Sequence, residues 1–134
     1  MIHRTFDQVK GTSNFVEADG FVSARLAVAD DNLGFTVTEA IGSSDIDLEV
    51  EHKNHIEAVY VLEGTGTIEI VDTGKIYKIE PGVFYAFDQH ERHRYHLDTE
   101  VRAIAIFNPP LLGDEVNDES GGYATASEAP TDAS

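Results

Sequence analysis

The sequence predicts an all-β fold, an antiparallel barrel or sandwich around one core. Apolar and polar residues alternate with period two through a series of short runs, turn residues bound each run, and few stretches are long enough for a helix. With 134 residues and 41% hydrophobic content, the chain is expected to form a single packed domain.

The first run, FVSARLAVA over residues 21–29, stops at Asp30-Asp31-Asn32. LGFTVTEAI (33–41) follows and stops at Gly42-Ser43-Ser44, and IDLEVE (46–51) alternates strictly. HIEAVYVLE (55–63) turns at Gly64-Thr65-Gly66 into TIEIVD (67–72), which turns at Thr73-Gly74 into KIYKIE (75–80). Pro81-Gly82 precedes VFYAF (83–87), and RHRYHL (92–97) and VRAIAIF (101–107) complete the series. No internal repeat is present, and from about Gly113 apolar residues thin out. We therefore expect one barrel domain over residues 1–123 and an acidic, disordered tail over 124–134, whose composition cannot bury a core.

Composition excludes several functions. No apolar run approaches the ~18 residues that span a bilayer, and the N-terminus lacks a charged-then-apolar export signal. Cysteine is absent, which removes disulfides, thiolate metal sites and a cysteine nucleophile, and fits a cytoplasmic protein. The formal charge is −16, with all nine Lys and Arg within residues 1–112. Such a surface repels nucleic acid and anionic membranes, so neither is an expected partner. It suits a salt-rich cytoplasm, or simply an acidic bacterial enzyme.

Alternation also tells which side chains share a face. His55 and Glu57 lie with Val59 and Val61, and Tyr85 with Val83 and Phe87. His93 lies with Tyr95 and Leu97, and Val101, Ala103, Ala105 and Phe107 form another inward row. Polar groups among apolar neighbours describe a barrel interior with a ligand cavity. Glu57 could be a surface glutamate on an edge strand, but a carboxylate facing valines needs a cation. On the residues alone, Tyr85 reads as core packing with its hydroxyl at the rim. His55 reads as a pocket-lining group or a hydrogen bonder behind one, while His90, His96, Arg92 and Arg94 read as rim or surface.

Five of six histidines fall between residues 52 and 96, and the spacing from Glu57 to Gly64, then Pro81-Gly82 and His93, resembles the two metal-binding motifs of the cupin superfamily. A more specific resemblance covers roughly residues 1–123. GTSNFVEADGFVSARLAVADDNLGF, NHIEAVYVLEGTG, IEPGVFYAFDQHERHR and FNPPLLGDEVNDESGGY are similar, in order and spacing, to the ectoine synthase family. The resemblance implies a single-domain cupin with a jelly-roll-like β-barrel, a homodimer, and ferrous iron as metal, with manganese or zinc as alternatives. It also implies a small zwitterionic substrate, N4-acetyl-L-2,4-diaminobutyrate, cyclised with loss of water to the compatible solute ectoine.

By position, the resemblance puts metal ligands on Glu57, Tyr85 and His93, and substrate contacts on Arg25, His55, Gly64, Phe107 and Glu115. Where the family has tryptophan, threonine, tyrosine and histidine, this chain has Phe21, Ala40, His52 and Asn117. Phe21 and His52 join the expected substrate contacts. His52 is either a fourth metal ligand, in the usual cupin histidine place, or a substrate contact; the latter is preferred. His55 or Glu115 would be the catalytic base, Arg25 the clamp on a carboxylate, and Phe21, Phe87 and Phe107 the walls that exclude water. The alternatives are a cupin acting on another N-acylated diamino acid, or a non-catalytic binder of a small ligand.

Overall fold

The computed structural model describes residues 1–18 and 20–116. The domain boundary expected at residue 123, the tail 124–134 and Asn117 lie outside the described residues. Two antiparallel sheets carry the fold. The chain runs α1 (Phe6–Lys10), β1 (Phe15–Ala18), β2 (Phe21–Ala27), a 3-10 turn (Ala29–Asp31), β3 (Thr36–Gly42), β4 (Glu49–Val50), β5 (Ile56–Glu63), β6 (Gly66–Ile70), β7 (Lys75–Ile79), β8 (Phe84–Ala86), β9 (His93–Leu97) and β10 (Val101–Asn108). The larger sheet has the order β1-β2-β3-β10-β5-β8 and the smaller β4-β9-β6-β7.

The inner faces meet in a shared core. Val61 of β5 and Val101 of β10 pack with Ile68 of β6, Ile79 of β7 and Phe87. Val59, Ala103, Ala105, Phe107 and Leu111 form a second cluster toward the other end. The side-chain faces expected from alternation hold: Glu57, Val59 and Val61 are buried on β5, while Ile56, Tyr60 and Leu62 are exposed. On β10, Val101, Ala103, Ala105 and Phe107 all point inward.

Two elements that the alternation did not predict lie at the N-terminus. Helix α1 is only five residues long, too short to show a helical period, and is held by a capping box in which Thr5 and Gln8 each accept the other's backbone amide. β1 adds to the edge of the larger sheet by pairing with β2. Another run is shorter than expected. Residues 46–51 alternate as predicted, but only Glu49–Val50 join the ladder with β9. Ile46, Leu48 and Val50 nevertheless turn toward the central cavity, so the face prediction survives where the ladder does not. Among the described residues, no helix is long and apolar enough to cross a membrane.

Candidate active site

The inward-facing polar residues converge on one cavity between the sheets. Its polar wall is Ser23, Thr38, Glu57, Tyr85, His93 and Tyr95, and the rest is apolar, including Phe21, Ala40 and Phe107. Of the residues predicted from sequence, Phe21, Glu57, Tyr85, His93 and Phe107 therefore line one space. Arg25, His52, His55 and Glu115 are not part of the lining and stand behind it.

Glu57, Tyr85 and His93 come from three different strands. Glu57 enters from β5, and its carbonyl accepts the Phe87 amide at 2.9 Å, which ties β5 to the end of β8. Tyr85 sits on β8 opposite Val59. His93 opens β9 in the other sheet, where the Phe87 ring stacks flat on its imidazole at 3.7 Å and 7°.

The electrostatics of these groups follow from burial. Desolvation pushes the Glu57 carboxyl up from 4.5 to about 8. Desolvation, then the Glu57 charge, pushes the Tyr85 phenol well above its ordinary value, while the Tyr95 hydroxyl pulls it back. His93 is lowered from 6.5 to about 4, chiefly by desolvation and against the Glu91 carbonyl. That carbonyl lies 2.9 Å from His93 Nδ1, and since a carbonyl can only accept, Nδ1 carries the proton. Nε2 is then the lone-pair nitrogen; it is buried and has no hydrogen-bond partner among the described residues.

A buried carboxylate, together with a neutral imidazole whose second nitrogen is oriented by a backbone carbonyl, fits a divalent cation. Among the described residues, no three His, Cys, Asp or Glu side chains gather into a metal-binding group. The Tyr85 phenol, the third group expected to hold a metal, lines the same cavity. Carboxylate, imidazole and phenol suit Fe(II), Mn(II) or Zn(II).

Behind the lining, His52 Nε2 lies 3.5 Å from Glu57 Oε1. Its ring meets Phe107 edge-on at 5.3 Å, and His55 does the same at 6.1 Å. His90, read from sequence as a rim residue, has a left-handed backbone (φ 55°), and its Nδ1 lies 2.8 and 3.1 Å from the His52 and His55 carbonyls. It pins the segment bearing both histidines to the segment leading to His93.

Arg25 is fully buried. Its Nε donates to Ser23 Oγ at 2.8 Å and its Nη1 to the Gly113 carbonyl at 2.9 Å. Thr38 Oγ1 donates to the Ala24 carbonyl at 3.0 Å, so in the 2.7 Å contact between the two hydroxyls it is Ser23 that donates. Charge on Arg25 thus polarises two hydroxyls that line the cavity. Glu115 stands 3.9 Å from Arg25, and its two oxygens accept the Leu112 and Gly113 amides at 2.6 and 2.7 Å.

Sequence reading had passed over Ser23, Thr38 and Tyr95 as site residues. Ser23 shares the alternating face of Phe21 and Arg25, and Tyr95 that of His93, which was the available signal. Gly64, expected as a substrate contact, has a steric reason to be glycine: at φ +97° a Cβ there would sit 2.1 Å from the Glu100 carbonyl oxygen.

A jelly-roll-like barrel that turns a carboxylate, a phenol and an imidazole into one enclosed cavity belongs to the class of single-domain cupins. A cupin described as RmlC-like from Shewanella frigidimarina shares this fold at 18% identity and a TM-score of 0.59, over 71% of this chain and 82% of that one. The profile of the ectoine synthase family matches residues 1–127. An L-ectoine synthase of Mycolicibacterium vanbaalenii is 41% identical over 129 residues, 96% of this chain and 99% of that protein. The crystal structure of ectoine synthase from P. lautus superposes with a TM-score of 0.83 at 34% identity, covering 98% of each chain. The chain belongs to the ectoine synthase family, and its activity is that of a hydro-lyase, a carbon–oxygen lyase.

Proposed function

We propose that the protein closes N4-acetyl-L-2,4-diaminobutyrate to ectoine with loss of water, supplying a compatible solute in the cytoplasm under osmotic stress. The observation that carries this reading is that Glu57, Tyr85 and His93 line one largely apolar cavity, in a chain of this family. These three residues would hold one divalent ion, with ferrous iron preferred and manganese or zinc as alternatives. Such an ion supplies Lewis-acid polarisation of the acetamide carbonyl.

The chain's own residues do the rest. The α-amine attacks the acetamide carbon, a C–N bond forms, the C–O bond breaks, and two amine protons leave with the oxygen as water. The amine must be neutral to attack, so a base beside it is needed. Both candidate bases stand behind the lining, and His55 is preferred because both Glu115 oxygens already accept backbone amides. Glu115 then acts by holding residues 111–115 against Arg25. The substrate carboxylate is drawn toward the Ser23–Thr38 end of the cavity by the guanidinium charge of Arg25 behind it. Phe21 and Phe107, with Phe87 stacked behind His93, keep bulk water from the reacting atoms, and holding amine and carbonyl together supplies much of the rate in this intramolecular closure. His52, facing Glu57 from behind the lining, keeps the carboxylate oriented.

The exposed apolar face of β5, β8 and β10 supports assembly as a homodimer. A second substrate reading rests on Ala40, which lines the cavity with a methyl group where the family resemblance implies a threonine: the substrate would be another N-acylated diamino acid. NMR of the iron-loaded protein, prepared anaerobically and offered both compounds, decides. Conversion of acetyl-diaminobutyrate to ectoine is the expected outcome. Turnover of only a homologous acyl diamino acid would transfer the assignment to the second reading, and no turnover of either would overturn both.

A further inference from the structure

Tyr85 stands on β8, a three-residue strand at the edge of the larger sheet that, among the described residues, pairs with β5 alone. Backbone bonds to β5 flank it on either side, from the Val61 amide to the Val83 carbonyl at 3.0 Å and from the Phe87 amide to the Glu57 carbonyl at 2.9 Å, but these hold the backbone and not the far end of a long side chain. The phenol instead reaches across the cavity to the smaller sheet, where its oxygen lies 3.1 Å from the Tyr95 hydroxyl. Tyr95 is the inward residue two positions beyond His93 on β9, and its ring meets the His93 imidazole edge-on at 5.4 Å and 86°. One side chain therefore touches two of the three candidate metal donors, its hydroxyl on one and its ring on the other.

We infer that Tyr95 is a positioning residue for the metal-holding set, its hydroxyl fixing the Tyr85 oxygen and its ring the His93 imidazole from across the cavity. This rests on the reading of Tyr85 as a metal donor. Either hydroxyl could donate at this distance, but a phenol that has given up its proton to hold a cation can only accept. In that state Tyr95 donates, and the bond links the two sheets through the site. A hydroxyl present only to satisfy a buried phenol would leave the metal's properties unchanged when removed.

The substitution Tyr95→Phe separates the two roles, because it keeps the ring against His93 and deletes only the hydroxyl. The probe is iron(III) alone, bound to the otherwise unliganded protein, whose phenolate-to-iron charge-transfer band reports directly on Tyr85. With Tyr85→Phe the band should vanish. With Tyr95→Phe it should move to longer wavelength, since a phenolate that loses a donated hydrogen bond gives up its electrons more readily. Competition against a chromophoric chelator should show affinity weakened ~10–100-fold, the cost of losing a ligand's orienting partner. An unchanged band and affinity in Tyr95→Phe, with the band lost in Tyr85→Phe, would overturn the role of Tyr95 alone. A band that survives Tyr85→Phe would overturn both that role and the phenol ligand.

Discussion

Glu57 and His93 titrate in opposite directions, and the pair gives the metal-free protein a characteristic stability profile. Glu57, raised from 4.5 to about 8, keeps its proton in the fold while the unfolded chain has lost it, so stability falls as pH rises between those values. His93, lowered from 6.5 to about 4, is neutral in the fold while the unfolded chain is protonated, so its contribution makes stability rise with pH between those values. The two oppose each other from 4.5 to 6.5, and above 6.5 only Glu57 acts. Metal-free protein is expected to lose on the order of 2 kcal/mol from pH 6.5 to 8 through this residue. Urea titrations of wild type and Glu57→Gln at both pH values check this. The difference between the two proteins should grow with pH, and parallel curves would contradict a buried, protonated Glu57. By the same chemistry, a cation that displaces the Glu57 proton should bind up to ~tenfold more tightly per pH unit below about 8.

Among the elements, the hairpin between β5 and β6 shows how tightly the strands leading to the site are fixed. Gly64 has φ +97°, and a Cβ there would meet the Glu100 oxygen at 2.1 Å and the Val101 Cα at 2.7 Å. Gly74, in the next hairpin, has φ +71° but nothing within 4 Å of the same position. Gly64→Ala should therefore cost roughly 3 kcal/mol or more, combining a left-handed backbone with a backbone collision, whereas Gly74→Ala should cost about 1–2 kcal/mol from the backbone alone. Thermal melts of the two variants test the ranking, and equal losses would mean that the Glu100 crossing yields easily. Much of this level was legible in the sequence. Period-two alternation put Glu57, Tyr85, His93 and Phe107 on inward faces, and all four line the cavity. What alternation cannot supply is which strands belong to which sheet. The Tyr85–Tyr95 contact, the Ser23–Thr38 bond and the His90 bridge each join different strands or loops, so Ser23, Thr38, Tyr95 and His90 looked like ordinary core, turn or rim residues. Helix α1 escaped for another reason: five residues show no period, and its Thr5–Gln8 capping pair was the only local signal.

For the whole molecule, the notable feature is an apolar face on a chain of net charge −16. On the outer side of the larger sheet, Tyr60 of β5 lies opposite Phe84 of β8 on one side and Ile104 of β10 on the other. Ile56, Leu62 and Ile106 extend the patch, and Phe84 is 66% exposed. A strongly acidic surface favours keeping copies apart, so a patch of this kind is costly to leave in water unless a second copy covers it. If the homodimer forms here, apolar burial drives association while like charge opposes it. Salt screens only the second term, since the Debye length shortens from about 30 Å at 0.01 M to about 3 Å at 1 M. Sedimentation equilibrium should then show the dimer tightening as salt rises, the reverse of an assembly held by ion pairs. Tyr60→Glu puts a charge at the centre of the patch on the face away from the cavity, and should give monomers that still bind one metal ion per chain. A Tyr60→Glu protein that remains dimeric, or a wild-type dimer that weakens with added salt, would place the interface elsewhere on the barrel.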